Sequence, residues 1–424
     1  RPPRSTLFPY TTLFRSPALD GVKVLDLTQY EAGTTCTQYL AWLGADVVKI
    51  ERPDVGDPGR WIRGIRGQDS YYFLSFNNNK RSCAIALDTP EGRDIFLRMV
   101  RNFDIVMENF TLGTMEKLGL GYDVLQAHNP AIIYGTVKGF GTHGPYSQFK
   151  CFDMVAQAAG GAFSVTGEPD GLPTRPGATF GDTGSGVHAA LGIVAAYVQR
   201  LRTGKGQKVE IAMQEIIANF MREPMSQREW RGSPISRRGN RTVVPTDLYP
   251  CSPGGPNDYL YIMVVTSRMW DSLCAAIDMP ELGLDPRFAT TRDRHENGDA
   301  LWEIIAGWTR QRTKFEAMEH LAANGVPCSA VYDSDDILTN HHLRARNMIR
   351  TIHHPYAGDF ELLAPPIHMS ESEVELQRAP LLGEHTSAII QAELGLSDAE
   401  IQALAGKGVL GIEPPVPATE VANV

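Results

Sequence analysis

The sequence predicts an α/β fold built on a parallel sheet. Strand patterns at residues 22–27 and 46–51 flank an amphipathic helical pattern at residues 36–43, which is the arrangement of a βαβ unit. Strand patterns at residues 82–87 and 105–107 continue the alternation, with a helical segment between them. The chain has 424 residues, more than one hydrophobic core usually supports. We therefore expect a Rossmann-like large domain with a parallel sheet, and a smaller α+β domain.

Changes in composition along the chain predict the domain boundaries. The first residues carry three arginines and no acidic residue, which is typical of a non-native extension. Two later polar segments without a clear hydrophobic period are typical of linkers. The predicted order is a non-native extension at 1–16, the N-terminal part of the large domain at 17–220, a linker at 221–241, the small domain at 242–331, a linker at 332–350, and a C-terminal part that returns to the large domain at 351–424.

Charge, hydropathy and cysteine spacing argue against several classes of protein. A net charge of −9 disfavours a nucleic-acid-binding protein, which usually carries a basic surface. The longest nearly apolar run, at residues 189–198, is shorter than the roughly 20 residues that span a membrane. Six cysteines without Cys-x-x-Cys spacing are typical of reduced thiols in the cytoplasm. The histidine pairs at 341–342 and 353–354 lack partners at ligand spacing, so we expect no metal site.

Asp182 is the strongest candidate for a catalytic residue. It lies among small residues just before an apolar helical pattern at residues 187–198, where the partial positive charge of a helix start favours an ionised carboxylate. An ionised carboxylate can attack a carbonyl carbon. Gly181, Gly184 and Gly186 would let a substrate approach the backbone and would leave N–H groups available to an oxyanion.

Other interpretations of these glycine-rich stretches remain open from the residues alone. An aspartate before a helix is commonly a helix cap. The string at residues 182–185 also has the form of an aspartic-protease motif, but that chemistry needs two such strings and the chain has no second one. Residues 139–144 fit a dinucleotide-binding pattern, yet Pro145 follows where a helix should begin, so we predict a loop.

Several long strings in the sequence resemble the class III CoA-transferases, the CaiB/BaiF family, over about residues 18–409. These strings lie at residues 19–28, 43–52, 79–82, 108–110, 181–182 and 203–209. Residues 378–385 resemble the formyl-CoA:oxalate CoA-transferase branch of the family. The resemblance implies a CoA-transferase, and the nucleophilic aspartate of the family corresponds to Asp182.

The resemblance implies a covalent mechanism and a particular assembly. The aspartate attacks a donor acyl-CoA thioester to give a mixed anhydride, and the released thiolate then forms an aspartyl-CoA thioester. An acceptor carboxylate then attacks the aspartyl-CoA thioester to give a new anhydride. The released thiolate attacks that anhydride, which gives the product acyl-CoA. The implied substrates are acyl-CoA and a small carboxylic acid, with no tightly bound cofactor and no metal. The implied assembly is an interlocked homodimer.

The family's contacts to CoA correspond to residues in the first strand–helix loop and near later strand ends. The residues implied to bind CoA are Gln29, Tyr30, Glu31, Ala32, Arg52, Asn109, Phe110, Lys117 and Lys150. The three cations among them would meet the phosphates of CoA despite the acidic chain.

This sequence departs from its relatives at three places near the expected site. Racemases of similar sequence have His-Asp where this chain has Phe152 and Asp153, so two-base epimerisation is disfavoured. The oxalate branch has a glycine lid where this chain has residues 239–245, and its first loop differs from Gln29-Tyr30-Glu31. We expect Phe152, Asp153 and Gln157 to line the surroundings of the nucleophile.

We therefore predict a cytoplasmic CoA-transferase that acts through Asp182 on an acyl-CoA donor and a carboxylic-acid acceptor. The residues do not name the acids, and the branch resemblance alone favours a short polar one. Two alternatives remain. One is an acyl-CoA epimerase or isomerase of the same fold, and the other is an acyl-CoA-binding protein without turnover.

Overall fold

The computed structural model divides the described chain into two compact units. It describes residues 16–62, 69–241 and 244–412. Among these, the first unit draws on residues 16–62, 69–161, 177–222 and 347–412, and the second on residues 162–176, 223–241 and 244–346. The predicted extension, except its last residue, and residues 413–424 of the predicted C-terminal part lie outside the described residues. The domain limits given above stay predictions.

Strands and helices alternate through most of the first unit, as the sequence pattern predicts. The strands are β1 (Lys23–Asp26), β2 (Asp46–Glu51), β3 (Arg81–Ile85), β4 (Ile105–Glu108), β5 (Ile133–Lys138), β6 (Lys208–Ala212), β7 (Asp247–Pro250), β8 (Tyr259–Ile262), β9 (Cys328–Ala330), β10 (Ile349–His354), β11 (Gly358–Leu363) and β12 (Leu410–Gly411). The α-helices are α1 (Ala32–Trp42), α2 (Tyr71–Phe76), α3 (Pro90–Val100), α4 (Thr114–Lys117), α5 (Tyr122–His128), α6 (Asp153–Ala159), α7 (Ala162–Val165), α8 (Asp182–Thr203), α9 (Met213–Phe220), α10 (Arg222–Arg231), α11 (Ser267–Ala276), α12 (Thr291–Glu296), α13 (Gly298–Thr309), α14 (Lys314–Ala323), α15 (Ser334–Thr339), α16 (His341–Ala345), α17 (Thr386–Leu394) and α18 (Asp398–Gly406).

The first unit is built on a seven-stranded sheet with the order β12-β3-β2-β1-β4-β5-β6. The neighbours from β3 to β6 pair in parallel, as the βαβ pattern predicts. β12 pairs antiparallel with β3, so the sheet is mixed at one edge and parallel elsewhere. The predicted α/β class is confirmed, and the order from β3 to β6 is that of a Rossmann-like sheet.

The strand order reverses between β1 and β4, and this reversal marks a ligand-binding crevice. Open α/β sheets bind ligands outside the carboxyl ends of the strands at such a point. Gln29 follows β1 and Asn109 follows β4. The Gln29 N–H donates to Asn109 Oδ1 at 2.8 Å, and Asn109 Nδ2 donates to the Gln29 carbonyl oxygen at 2.8 Å. This pair of hydrogen bonds holds the two strand-end loops side by side.

Helices α1 and α8 pack closely against each other, and Gly186 lies at their contact. A Cβ atom on Gly186 would lie 2.5 Å from Thr35 Cβ and 2.6 Å from the Ala32 carbonyl oxygen, both on α1. Because glycine has no Cβ, it permits this approach of the two backbones. The Thr183 hydroxyl, near the beginning of α8, donates to Glu31 at the beginning of α1 at 2.7 Å. The packing therefore places the first turn of α8 beside the loop after β1.

The second unit has a separate small sheet and core. Strands β7, β8 and β9 pair antiparallel in sequence order, and apolar side chains of these strands and of α11, α13 and α14 form one buried cluster. The segments expected to be linkers contain helices: α10 lies within residues 221–241, and α15 and α16 lie within residues 332–350. Asp333 and Asn340 cap α15 and α16, which explains how these polar stretches become helical.

No helix among the described residues is both long enough and apolar enough to cross a membrane.

The contact at Gly186 gives a test of the packing of α1 on α8. We expect Gly186→Ala to lower the free energy of unfolding by about 1–3 kcal/mol, because the added methyl group must push two helix backbones apart. Urea unfolding followed by circular dichroism measures the change. Gly307→Ala is the control, because a Cβ at this helical position in α13 meets no atom within 4 Å. The control should leave stability unchanged or raise it, and equal losses in both variants would contradict the assigned packing.

Candidate active site

Asp182 is the first residue of α8, and its carboxylate does not cap the helix. Gly181 holds the N-cap position, without a side-chain cap. Asp153, the first residue of α6, accepts hydrogen bonds at Oδ1 from the N–H groups of Gly181 at 2.8 Å and Asp182 at 3.1 Å. The helix-cap interpretation of Asp182 is therefore wrong, because the carboxylate of Asp153 already takes that role. The Asp182 carboxylate is left to face other groups.

Burial and neighbouring negative charge set the acidity of Asp182. Burial has the largest effect, and the carboxylates of Glu31 and Asp153 add to it, so that the pKa of Asp182 is raised to about 8. No basic side chain among the described residues of this unit offsets these effects on Asp182. A strongly raised carboxyl pKa beside a cavity is typical of functional sites.

Glu31 is a buried carboxylate held in place by two threonine hydroxyl groups. Its Oε1 atom accepts hydrogen bonds from the hydroxyls of Thr183, at 2.7 Å, and Thr179. The Tyr72 hydroxyl lies near the Glu31 carboxyl and interacts with it electrostatically. Burial raises the pKa of Glu31, and the hydrogen bonds from Thr179 and Thr183 partly offset that rise. Glu31 is thus fixed beside the first turn of α8, next to Asp182.

A cavity of about 410 Å³ lies at the crevice of the first unit, within the size range of small-molecule sites. The predicted site residues that line it are Asp182, Gln29, Tyr30, Glu31, Ala32, Asn109, Phe110, Lys150 and Phe152. These residues come from four separate stretches of the sequence. The fold therefore brings most of the predicted site together at the strand-order reversal.

The remaining predicted residues lie outside the lining of this cavity. Arg52 is exposed and pairs with Asp54 at 3.0 Å. Lys117 is exposed at the end of α4. Asp153 supports the start of α8, and Gln157 Nε2 donates to Asp153 Oδ2 at 2.7 Å. Asp153 and Gln157 therefore stabilise the segment around Asp182, and neither residue lines the cavity.

The three glycines around Asp182 do not leave N–H groups available to an oxyanion in this structure, which corrects the expectation. The Gly181 N–H donates to Asp153, and the Gly184 N–H donates to the Phe180 carbonyl oxygen at 3.1 Å. Gly186 lies within α8 at the contact with α1. The Gly181 N–H is thus bonded to a side chain, and Gly184 and Gly186 belong to the helix, which begins directly after Gly181.

Tyr30 adopts an unusual backbone conformation at the edge of the cavity. Its φ angle is +60°, a value that residues other than glycine seldom adopt. The Tyr30 N–H donates to Asp57 Oδ1 at 3.1 Å, and the Thr34 hydroxyl donates to the Tyr30 carbonyl oxygen. The Tyr30 ring meets the Phe152 ring edge to face, with centroids 6.3 Å apart. Hydrogen bonds thus hold a strained residue against a second aromatic residue of the cavity.

Sequence analysis missed several residues of the site. Lys138, the last residue of β5, lines the cavity, where it pairs with Glu108 at 2.7 Å and donates to the Phe110 carbonyl oxygen at 2.6 Å. Lys138 lies at the carboxyl end of a strand, and Asn109 directly follows one, so the sequence pattern that indicates Asn109 also indicates Lys138. Tyr72 and Thr179 carried no comparable signal, because only the folded chain brings them to Glu31.

Among the residues described, no group of three or more His, Cys, Asp or Glu side chains could hold a metal ion.

Comparison with known proteins identifies the family of this chain. The sequence matches the CoA-transferase family III over residues 19–386, so the chain belongs to this family and is a CoA-transferase. This confirms the resemblance drawn from the motifs.

Named relatives and solved structures agree with this assignment. The formyl-CoA:oxalate CoA-transferase of Streptomyces coelicolor is 39% identical over 409 residues, covering 93% of this chain and 99% of that protein. The protein of the same name from Rhodopseudomonas palustris is 37% identical over 420 residues, covering 94% and 98%. The crystal structure of a CaiB/BaiF family protein from Brucella suis has a TM-score of 0.81 and 33% identity, covering 89% of this chain and 100% of that chain.

The raised pKa of Asp182 predicts how stability depends on pH. The folded protein keeps a proton on Asp182 up to about pH 8, whereas the unfolded chain releases it near pH 3.8. Between these values the free energy of unfolding should fall as pH rises, by up to about 1.4 kcal/mol per pH unit from this group. We expect Asp182→Asn to remove this contribution. Urea unfolding of both proteins from pH 5 to pH 9 measures it, and parallel pH profiles would contradict the raised pKa.

Proposed function

We propose that this CoA-transferase moves CoA from an acyl-CoA donor to a carboxylic acid through covalent attack by Asp182. The proposal rests on the position and the environment of the Asp182 carboxylate. It lines the cavity, it does not cap its own helix, and its pKa is raised by burial and by the carboxylates of Glu31 and Asp153. A carboxylate stabilised so weakly by its surroundings is a stronger nucleophile than an ordinary aspartate.

In the first half-reaction, a carboxylate oxygen of Asp182 attacks the carbonyl carbon of the acyl-CoA thioester. The carbon–sulfur bond breaks and its electron pair leaves on sulfur as CoA thiolate, which gives an aspartyl–acyl anhydride. The thiolate then attacks the Asp182 carbonyl carbon of that anhydride. The donor acid leaves as its carboxylate, and an aspartyl-CoA thioester remains.

In the second half-reaction, the acceptor carboxylate attacks the aspartyl-CoA thioester at the Asp182 carbonyl carbon. CoA thiolate leaves and a new anhydride forms between Asp182 and the acceptor. The thiolate attacks the acceptor carbonyl carbon, which releases the product acyl-CoA and restores the Asp182 carboxylate. Charge and protons balance over the cycle, so the exchange needs no ATP and no external base.

We propose that CoA binds at the strand-order reversal, next to the loops that follow β1 and β4. Gln29, Asn109 and Phe110 lie at these strand ends, where parallel α/β sheets bind ligands. Lys150 is exposed on the cavity lining, so it can meet a phosphate group of CoA. Arg52 and Lys117 remain proposed CoA contacts that lie outside this cavity.

We further propose a cytoplasmic, interlocked homodimer that uses acyl-CoA as a substrate and holds no cofactor tightly. Relatives named formyl-CoA:oxalate CoA-transferase make formyl-CoA and oxalate the first donor and acceptor to test. Gel filtration with light scattering tests the assembly, and a single species at monomer mass would contradict the dimer.

Trapping of the intermediate tests the role of Asp182. The protein is incubated with a panel of acyl-CoA donors, quenched with hydroxylamine, and digested, and the mass of the peptide that contains Asp182 is measured. We expect a hydroxamate on this peptide, because hydroxylamine captures the anhydride or the thioester of the aspartate. Asp182→Asn should show none.

Asp153→Asn is the matched control, because it alters a neighbouring aspartate that supports the helix start and does not line the cavity. It should still give the adduct. Modification of another residue, or none with any donor despite measurable CoA binding, would contradict the proposed covalent route.

The pH profile of the first half-reaction gives an independent test. Asp182 must be ionised to attack, and its pKa is raised to about 8. We therefore expect the rate of adduct formation at low acyl-CoA concentration to rise about tenfold per pH unit below pH 8, and then to level off. Rapid quench measurements between pH 6 and pH 9 test this. A rate that does not change with pH over that range would contradict the raised pKa of Asp182.

A further inference from the structure

Glu31 places a second carboxylate beside the candidate nucleophile, and the charges around it bear on which acids can react. Its Oε1 atom accepts hydrogen bonds from Thr179 and Thr183, the second of which directly follows Asp182 in the chain. Both hydroxyls are donors to Glu31, so they favour its ionised form. Glu31 also lines the cavity. Burial outweighs these donors and raises the pKa of Glu31. The site therefore holds a second carboxyl group, fixed by hydrogen bonds, next to the position where the acid reacts, and this group is negatively charged when it is ionised.

The cations of the cavity lining do not neutralise this charge. Among the described residues, the basic side chains in the lining are Lys138 and Lys150. Lys138 pairs with Glu108 at 2.7 Å and donates to the Phe110 carbonyl oxygen, so its charge is already used. Lys150 is exposed. An additional anion close to Asp182 would therefore meet Glu31, and the exposed Lys150, which we propose to contact a phosphate of CoA, is the cation of the described lining that Glu108 does not occupy.

The other walls of the cavity suit an uncharged acyl group. Val137 and Met213 give apolar surface, and Tyr30 and Phe152 form an edge-to-face aromatic pair at the lining. Apolar and aromatic surfaces favour burial of uncharged groups and disfavour a carboxylate without a partner.

We propose that Glu31 determines specificity by excluding acids that carry a second carboxylate, so that the substrate acids of this enzyme are monocarboxylic acids. The inference rests on the proposed function, because it concerns acids that react at Asp182. Oxalate is the sharpest case. Its second carboxylate is one bond away from the reacting one, so a bound oxalate places that charge beside Glu31.

The test compares acceptors in the parent enzyme and in Glu31→Gln. With butyryl-CoA and benzoyl-CoA as donors, kcat/KM is measured at pH 8 for propionate, benzoate and 2-hydroxybutyrate, and for oxalate, malonate and succinate. We expect the parent to prefer at least one monocarboxylic acid over every dicarboxylic acid by about tenfold or more. Glu31→Gln should raise the oxalate value relative to that monocarboxylic acid by about tenfold.

Two further variants separate charge from structure. Glu31→Asp keeps the negative charge, so it should keep the preference for monocarboxylic acids even if its overall rate falls. Glu215→Gln removes one exposed charge from α9, the helix that contributes Met213 to the cavity, and should leave the preference unchanged.

The pH profile provides a second measurement of the charge of Glu31. The titratable groups that face Asp182 are Glu31, Asp153, Tyr72 and Cys151. Because Glu31→Gln removes one of the two nearby carboxylates that raise the pKa of Asp182, the rise in kcat/KM should move to lower pH. A variant that merely disturbed the fold would lower the rate without moving the profile.

The outcomes distinguish the inference from the proposed function. A parent enzyme that uses oxalate as well as every monocarboxylic acid overturns the inference and leaves the proposed function standing. The same holds if Glu31→Gln leaves the acceptor preference unchanged. Absence of transfer to all six acceptors, together with no adduct on Asp182 from any donor of the trapping panel, formyl-CoA included, overturns the proposed function itself.

Discussion

The hydrogen bonds from the N–H groups of Gly181 and Asp182 to the Asp153 carboxylate are the interaction on which the site depends. A helix start needs an acceptor for its first N–H groups, and an aspartate at that point usually supplies its own carboxylate. Here Asp153 supplies it from α6, so Asp182 is released to line the cavity. Asp153 also contributes negative charge that keeps the pKa of Asp182 high. Asp153 thus frees the candidate nucleophile, and it adds to the effects of burial and Glu31 that raise the pKa of Asp182.

The sheet decides where that carboxylate lies. The strand order reverses between β1 and β4, and the loops after these strands are joined through Gln29 and Asn109. Close packing of α8 on α1 at Gly186 brings the beginning of α8 to the same edge. Glu31 then connects the two helices through the hydroxyls of Thr179 and Thr183. The fold therefore concentrates carboxylates at the crevice, while the cation of Lys138 is occupied by Glu108.

Much of the site could be predicted because its residues lie next to strand ends or within recognisable strings. Asp182, Gln29, Asn109 and Phe110 were selected in this way, and all of them line one cavity. Lys138 also lies at a strand end, so the same signal applies to it. The supposed role of Gly184 was wrong, because sequence alone does not show that its N–H is already bonded to Phe180. Tyr72 could not be predicted, since its contact with Glu31 joins stretches about forty residues apart that share no motif.

The sequence by itself determined the α/β class, the family and the identity of the candidate nucleophile. These depend on hydrophobic periodicity and on contiguous strings, which are local properties of the chain. Only the tertiary structure decided which residue caps α8, which carboxylates surround Asp182, and which cations are free. Those features depend on distances between groups that are far apart in sequence, and Coulomb energies and hydrogen bonds change steeply with such distances. The acidity of Asp182 is therefore a property of the folded chain.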